Sequence, residues 1–246
     1  MKGFTQCEET DYTDIYLPVI RFMTVRLMLG LAALEKWHIT SLDIRNAYFY
    51  GKLDEEIYME QPEGLTRDTG IVLRLWRAIC GLKQVGLAWW HQLNASMKEL
   101  GFKQLKSEAR IFQYGKVRTN IVVGVVYVND TFFCGPDKIL LNKIKTRFMK
   151  KWEYRDLGNL SEFLQICIVR HDHKILIDQT NYLIKILQCF QMENAWPTPT
   201  LLPSGYHLQK YERSVDYQLQ KCFQTIIGLL LYLMLGMRPD IAFTVT

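Results

Sequence analysis

Two short apolar segments with a polar tip between them constrain the fold of this chain more than any other feature. Residues 121–126 and 131–134 are rich in β-branched and aromatic side chains, which predicts two buried strands. Asn129 and Asp130 lie between the two segments and suit the central positions of a two-residue turn. The sequence therefore predicts an antiparallel hairpin that displays a carboxylate at its tip.

The rest of the chain mixes helical and strand patterns without the regular alternation of a parallel sheet. The spacing of apolar residues predicts helices over residues 24–36, 88–100, 181–190 and 216–235, and strands over 38–43, 161–170 and 174–178. Residues 44–50 predict a helical turn closed by Gly51, and residues 52–75 a loop or short hairpin. This order favours an α+β fold with mainly antiparallel strands.

The composition is that of a globular protein. The chain has 246 residues, enough for one large domain or a few subdomains, and 49% of them are hydrophobic. Six scattered cysteines form no CxxC pair, which argues against zinc and favours a reducing compartment. The longest apolar run, residues 226–237, is too short to span a bilayer and predicts a buried helix. Since no signal-peptide pattern begins the sequence, neither a membrane nor secretion is expected.

Positive charge is concentrated in one predicted helix, residues 137–152. Residues 136–155 carry seven basic and two acidic side chains, and this difference equals the whole net charge of +5. Such a face attracts the phosphate backbones of nucleic acids whatever their base sequence. A helix whose basic side is solvated and whose apolar side packs on the protein would show the same pattern. The stripe would be Leu140, Ile144, Phe148 and Trp152. The candidate nucleic-acid contacts are Lys138, Lys143, Lys145, Arg147, Lys150 and Lys151.

A second carboxylate can join the hairpin tip. Asp43 ends a predicted strand and stands 87 positions before Asp130, with a predicted helix between them. An antiparallel sheet can bring both to one end, where two-metal phosphoryl transfer uses carboxylates from separate segments. Aspartates also cap strand ends and occupy turns, so the spacing alone supports either interpretation.

Seven stretches, in the same order and at similar spacing, resemble the reverse transcriptase of Ty1/copia-type LTR retrotransposons. They are residues 2–6, 42–51, 53–64, 80–84 (continuing to Trp89), 127–130, 156–158 and 238–242, and together they extend over nearly the whole chain. The resemblance implies a right-hand polymerase in which helices back an antiparallel palm sheet. The palm would comprise residues 19–50 and 89–165, the fingers 1–18 and 51–88, and a thumb or connection 166–246. The whole of 1–246 would be one reverse transcriptase domain, incomplete at its N-terminus.

The resemblance also implies an activity, RNA-directed DNA polymerisation with two Mg²⁺ ions. Asp43 and Asp130 would be the first and last metal-binding carboxylates. Tyr48 would lie under the sugar of the incoming nucleotide and reject a ribose 2′-OH, with Ala47 beside it, and Gln84 would contact the nucleotide. Residues 156–158 would lie near the primer end. Judged without the resemblance, Tyr48 could equally be a core aromatic, Gln84 a loop residue and Asp130 a turn residue.

The implied partners are an RNA template, a DNA primer or hybrid, and deoxynucleoside triphosphates. The resemblance implies a cytoplasmic location in virus-like particles, with the nucleus as an alternative and secretion not expected. The sequence predicts no oligomeric state.

The chain departs from the family pattern at several positions. Asn129 stands where the middle carboxylate of the metal-binding triad is expected, so this catalytic position is degenerate. Gly86 and Leu87 replace an expected Pro and Arg, and Gln165 replaces an expected Gly. These departures predict a severely impaired polymerase. The alternatives are a nucleic-acid-binding module without catalysis and an inactive transposon-derived fragment.

Overall fold

The computed structural model describes residues 3–62, 71–116, 120–172, 174–198, 205 and 216–246. Contacts divide the chain into two compact units, Met1–Leu160 and Ser161–Thr246. Lys2 and residues 63–64, which belong to two of the family-like stretches, lie outside the described residues.

The first unit is built on a six-stranded antiparallel sheet. Its helices are α1 (Phe22–Leu34), α2 (Val85–Glu99) and α3 (Lys138–Met149). Its strands are β1 (His38–Ile44), β2 (Lys52–Glu60), β3 (Val72–Arg77), β4 (Lys103–Gln104), β5 (Ile111–Tyr114), β6 (Val122–Tyr127), β7 (Asp130–Gly135) and β8 (Tyr154–Gly158). The sheet order is β4-β5-β6-β7-β1-β8, while β2 and β3 form a separate ribbon.

Helices α2 and α3 pack against one face of the large sheet. Leu42 of β1, Val126 of β6 and Phe133 of β7 belong to one core cluster with buried residues of α2 and α3. Because side chains alternate along a strand, Asp43 and Asp130 project from the opposite face. The two carboxylates and the helices α2 and α3 therefore lie on opposite sides of the sheet.

The predicted hairpin is present, but its turn is one residue earlier than expected. Tyr127 pairs with Asp130, so Val128 and Asn129 form the two-residue turn and Asp130 is the first residue of β7. The prediction of Asn129 and Asp130 as the turn residues was wrong, because pairing with β1 extends the β7 ladder to Asp130. The shift gives Val128 a φ of 50°, an unfavourable conformation for a β-branched residue.

Most predicted elements of this unit are present. The strand over 38–43 and the helices over 24–36 and 88–100 are confirmed as β1, α1 and α2, with ends shifted by a few residues. Gly101, with a φ of 92°, follows α2 in the left-handed conformation that terminates helices. The short strands β4 and β5 and the edge strand β8 were not predicted, because two to five residues carry too little pattern.

The second unit contains a small sheet and a helix pair. Its strands are β9 (Glu162–Phe163), β10 (Ile166–His171) and β11 (Lys174–Asp178), and its helices are α4 (Thr180–Cys189), α5 (Tyr217–Gly236) and α6 (Ala242–Val245). Tyr182 and Ile186 of α4 pack with Leu233 of α5 in a small core. The strand predicted over 161–170 is interrupted at Leu164 and Gln165, which form a tight turn between β9 and β10.

Helix α5 is not the buried helix predicted from its apolar run. Leu233 and Gly236 are its buried residues, whereas Leu235, within the same apolar run, is 57% exposed. By length and composition α5 could cross a bilayer, although core helices of soluble proteins pass the same test. Apolar composition alone therefore did not determine burial, because burial depends on what packs against the helix.

Replacing Gln165 by glycine is expected to stabilise the second unit. Phe163 pairs with Ile166 around Leu164 and Gln165, whose φ angles are 52° and 55°. A Cβ disfavours this conformation and glycine relieves the cost, so Gln165→Gly should gain about 0.5 to 1 kcal/mol after the entropy of glycine in the unfolded chain is subtracted.

Urea denaturation of the two proteins measures this gain as a shift of the midpoint at constant slope. Gln165→Ala is the control, since it shortens the side chain but keeps the Cβ. Equal midpoints for the Gly and Ala variants would contradict the explanation.

Candidate functional site

The two predicted catalytic carboxylates face each other across one pair of strands. Asp43 of β1 is the direct register partner of Asp130 of β7. Directly opposed residues point to the same face with Cβ atoms about 5 Å apart. Both side chains are partly buried. Residues separated by 87 positions are thus brought together at one end of the sheet.

Asn129 is bound to this pair rather than merely adjacent to it. Its side-chain Nδ2 donates a hydrogen bond of 2.7 Å to Asp43 Oδ1. Its backbone oxygen accepts a hydrogen bond of 3.0 Å from the Ile44 N–H. The position expected to hold the middle carboxylate therefore engages one oxygen of Asp43 through an amide.

A buried tryptophan supports the hairpin from the helical side. Trp89 is 1% exposed, and its Nε1 donates a 2.7 Å hydrogen bond to the Val128 carbonyl oxygen. Its ring lies 6.0 Å from that of Tyr50 and 5.0 Å from that of Trp152, centroid to centroid. Sequence reasoning included Trp89 only as the end of a motif. The requirement of a buried indole N–H for an acceptor was the signal available.

A cavity at the hairpin turn brings together Ala47, Tyr48 and Asn129. Its volume is about 190 Å³, and Cys80, which sequence reasoning did not single out, also lines it. Pockets for drug-sized ligands occupy roughly 300 Å³ or more. The cavity therefore suits a sugar or a base rather than an entire nucleoside triphosphate.

Tyr48 keeps its proton in this setting. It sits in the 3-10 helix Ala47–Tyr50 and is partly buried. Burial raises the pKa of its hydroxyl above 10.0, and the nearby Cys80 and Tyr127 raise it further, against a smaller opposing effect of Arg110. The phenol is therefore available as a hydrogen-bond donor at neutral pH.

Gln84 is engaged inside the protein. It is 4% exposed, and its Oε1 accepts a 3.1 Å hydrogen bond from Gln6 Nε2. Its Nε2 donates a 2.8 Å hydrogen bond to the Asp11 carbonyl oxygen. In this arrangement the side-chain amide of Gln84 holds the N-terminal segment against the start of α2. The contact of Gln84 with a nucleotide stays a prediction.

The predicted basic contacts fall into three groups. Four cations are exposed on or just after α3, on the side of the sheet away from the carboxylates: Lys138, Lys143, Arg147 and Lys150. We refer to these four as the α3 basic face. Lys151 follows the helix and forms an ion pair with Glu99.

Lys145 does not belong to that face. It is 9% exposed, and its Nζ lies 2.6 Å from Asp156 Oδ1 and donates a 3.0 Å hydrogen bond to Thr40 Oγ1. Its prediction as a nucleic-acid contact was wrong, because the side chain joins α3 to β1 and β8 inside the protein. Burial alone would raise the pKa of Asp156, but the hydrogen bond from Lys145 and the Gly158 N–H hold it below its ordinary value of 3.8.

The edge strand β8 borders β1 on the side away from β7. Arg155 is the register partner of Asp43 on the side opposite to Asp130. The Asp156–Gly158 stretch, expected near the primer end, therefore lies one strand away from Asp43.

The donor set does not fit a pair of divalent ions. Two-ion sites use several carboxylates to hold ions roughly 4 Å apart, and Mg²⁺ prefers anionic oxygen. Within the described part of the chain, no group of three His, Cys, Asp or Glu side chains is placed to hold a metal. Asp43 and Asp130 supply two carboxylates, and the third position is an amide already bonded to one of them.

Comparison with known proteins identifies what the chain resembles. Residues 1–203 match the family described as reverse transcriptase (RNA-dependent DNA polymerase). The chain is 31% identical over 256 aligned residues to the retrovirus-related Pol polyprotein from transposon TNT 1-94 of Nicotiana tabacum, covering 100% of this chain and 19% of that protein. It is 32% identical to the Pol polyprotein from transposon RE1 of Arabidopsis thaliana, covering 99% of this chain and 17% of that protein.

A shorter relative occurs in yeast. The putative transposon Ty5-1 protein of Saccharomyces cerevisiae is 26% identical over 83% of this chain and 67% of its own length. The chain thus spans less than a fifth of the two plant polyproteins.

Replacing Asp156 by asparagine is expected to destabilise the first unit, because it leaves the buried Lys145 ammonium without its carboxylate. Breaking buried pairs costs about 3 to 5 kcal/mol, but Asp156 is 44% exposed on its side chain, so we expect about 1 to 2 kcal/mol at neutral pH. Since the folded-state pKa of Asp156 is depressed, this stabilisation is present above pH 3.8 and is lost as the pH falls through the folded value.

Denaturation of the wild type and of Asp156→Asn, from neutral pH to below pH 3.8, measures the difference between their free energies of unfolding. Glu153→Gln is the control, because Glu153 is 70% exposed and lies 3.8 Å from Arg45, and it should cost less than about 0.5 kcal/mol. A pH-independent difference for Asp156→Asn would contradict the assignment.

Proposed function

The chain belongs to the reverse transcriptase (RNA-dependent DNA polymerase) family of Ty1/copia-type retrotransposons, and we propose that its ancestral reaction is RNA-templated DNA synthesis. The observation that carries the proposal is the pairing of Asp43 with Asp130 at the tip of the β6–β7 hairpin. Two carboxylates from distant segments, opposed on one face of a sheet, are the arrangement that phosphoryl transfer uses.

The proposed architecture is a right-hand polymerase. The six-stranded sheet with α2 and α3 would form the palm, and the β2–β3 ribbon with the N-terminal segment would form the fingers. The second unit would be a thumb or connection. The position of the carboxylates on the sheet face away from α2 and α3 supports this proposal, since it leaves the helices free to act as backing.

The proposed ligands are an RNA template, a DNA primer or hybrid and deoxynucleoside triphosphates, in a cytoplasmic particle. The cavity at Ala47 and Tyr48 would receive the sugar of the incoming nucleotide, and the Tyr48 ring would exclude a 2′-OH. Asp43 and Asp130 are the residues that would hold a divalent ion, which supplies charge stabilisation when bound. Gln84 would act on the nucleotide only after releasing its bonds to Gln6 and Asp11.

We further propose that this copy is severely impaired. Asn129 offers a neutral oxygen where the family pattern has a carboxylate, and its amide nitrogen is bonded to Asp43. Removing one negative charge a few ångströms from a divalent ion loses on the order of several kcal/mol at an effective dielectric near 20. Because each 1.4 kcal/mol is about tenfold in rate, a loss of about a thousandfold or more is expected.

Primer extension on an RNA template with Mg²⁺ tests both parts of the proposal. The wild-type chain should extend weakly, and Asn129→Asp should raise the rate because it restores the third carboxylate. Asp43→Asn and Asp130→Asn should abolish whatever synthesis the wild type shows.

The control is Asn142→Asp, which adds the same charge at an exposed position of α3 and should leave the rate unchanged. Efficient extension by the wild type with Mg²⁺ would contradict the impairment, and no gain in Asn129→Asp would show that the other departures from the family pattern dominate it. Full activity of the Asp43→Asn variant would contradict the site.

A second candidate function is nucleic-acid binding without catalysis, favoured by the α3 basic face. Its four cations are exposed and lie on the side of the sheet away from Asp43, so RNA bound there would not occupy the carboxylate site. Such binding would be electrostatic and would not depend on sequence.

Replacing Lys138, Lys143, Arg147 and Lys150 together by glutamine is expected to weaken RNA binding and to reduce the slope of log affinity against log salt by about 3. Fluorescence anisotropy of a labelled single strand over a salt series measures this change. The matched control replaces four exposed lysines elsewhere on the first unit, Lys36, Lys98, Lys103 and Lys106. An equal loss in both variants would show that charge, and not this face, determines binding.

A further inference from the structure

The carboxylate end of the sheet contains a hydrogen-bond donor that contacts one of its carboxylates. Asp43 and Asp130 are opposed across β1 and β7, an arrangement in which two ionised carboxylates repel each other. A protein that holds divalent ions there relies on them to offset this repulsion. Here the chain itself supplies a donor to Asp43.

The donor is Asn129. Its amide gives Asp43 Oδ1 a hydrogen bond of 2.7 Å, and the Ile44 N–H bond to its carbonyl oxygen fixes the same residue to β1. Side chain and backbone thus join the hairpin tip to the strand that carries Asp43. Hydrogen bonds to an ionised carboxylate are stronger than those between neutral groups.

We infer that the Asn129 amide stabilises the Asp43 and Asp130 pair in place of a divalent cation, so that the hairpin tip keeps its structure without metal. This inference rests on the proposed function for the location of the ancestral ion site. It also explains the mismatch between the donor set and a pair of ions, because one oxygen of Asp43 is already engaged.

Local hydrogen exchange in the full chain, without nucleic acid, tests the inference. The Ile44 amide donates to the Asn129 carbonyl oxygen and reports opening of the tip. Its exchange rate in the wild type should be the same in EDTA and in millimolar MgCl₂. In Asn129→Asp the amide should exchange roughly tenfold faster in EDTA, and MgCl₂ should restore the slow rate, since a third carboxylate adds repulsion that a cation relieves.

Two further variants separate the contributions. Asn129→Ala should exchange faster than the wild type with no response to MgCl₂, because it loses the donor without adding charge. Asn142→Asp on α3 should match the wild type in both buffers.

The inference is wrong if MgCl₂ slows exchange in the wild type as much as in Asn129→Asp, or if Asn129→Ala remains as protected as the wild type. Neither result depends on catalysis. A different outcome is a wild-type chain that extends primers efficiently while its Ile44 amide exchanges at the same rate with and without Mg²⁺ in the absence of nucleic acid. That result would refute the impairment and leave this inference intact.

Discussion

The antiparallel pairing of β1 with β7 is the constraint on which the candidate site depends. Six consecutive residue pairs, from His38 and Gly135 to Asp43 and Asp130, fix the register of the two strands. A slip of one residue would send every side chain of a strand to the other face. The buried Leu42 and Phe133 on the helical face prevent such a slip, and so they also keep the two aspartates opposed.

The same alternation separates chemistry from packing. Even-numbered residues of β1 meet α2 and α3, and Asp43 emerges on the other face. Lys145 and Asp156 follow this rule, since their ion pair lies on the helical face beside Thr40. Arg155, the neighbour of Asp156 in sequence, consequently points to the face of the sheet that carries Asp43. One strand thus contributes a structural anion to the helical face and a cation to the opposite face.

Local patterns predicted the hairpin, the strand that carries Asp43 and the helices, because each depends on residues close in sequence. They did not predict the burial of Lys145 or of Gln84, whose positions are decided by partners 105 and 78 residues away. The turn shifted by one residue for the same reason, since β1 determines where β7 begins. The exposed α5 shows that an apolar run specifies a helix without specifying its neighbour.

The departure at Asn129 changes the site in two ways that act in opposite directions. Loss of a carboxylate weakens any hold on a divalent ion, whereas the amide gained in its place bonds Asp43 directly. Under the proposed function, the amide at position 129 would remove what catalysis requires, while its bond to Asp43 joins the hairpin tip to β1. Gln165, with a left-handed backbone, departs from the family pattern at a position that favours glycine. The new side chain at position 129 bonds a neighbouring group, whereas the new side chain at position 165 strains its own backbone.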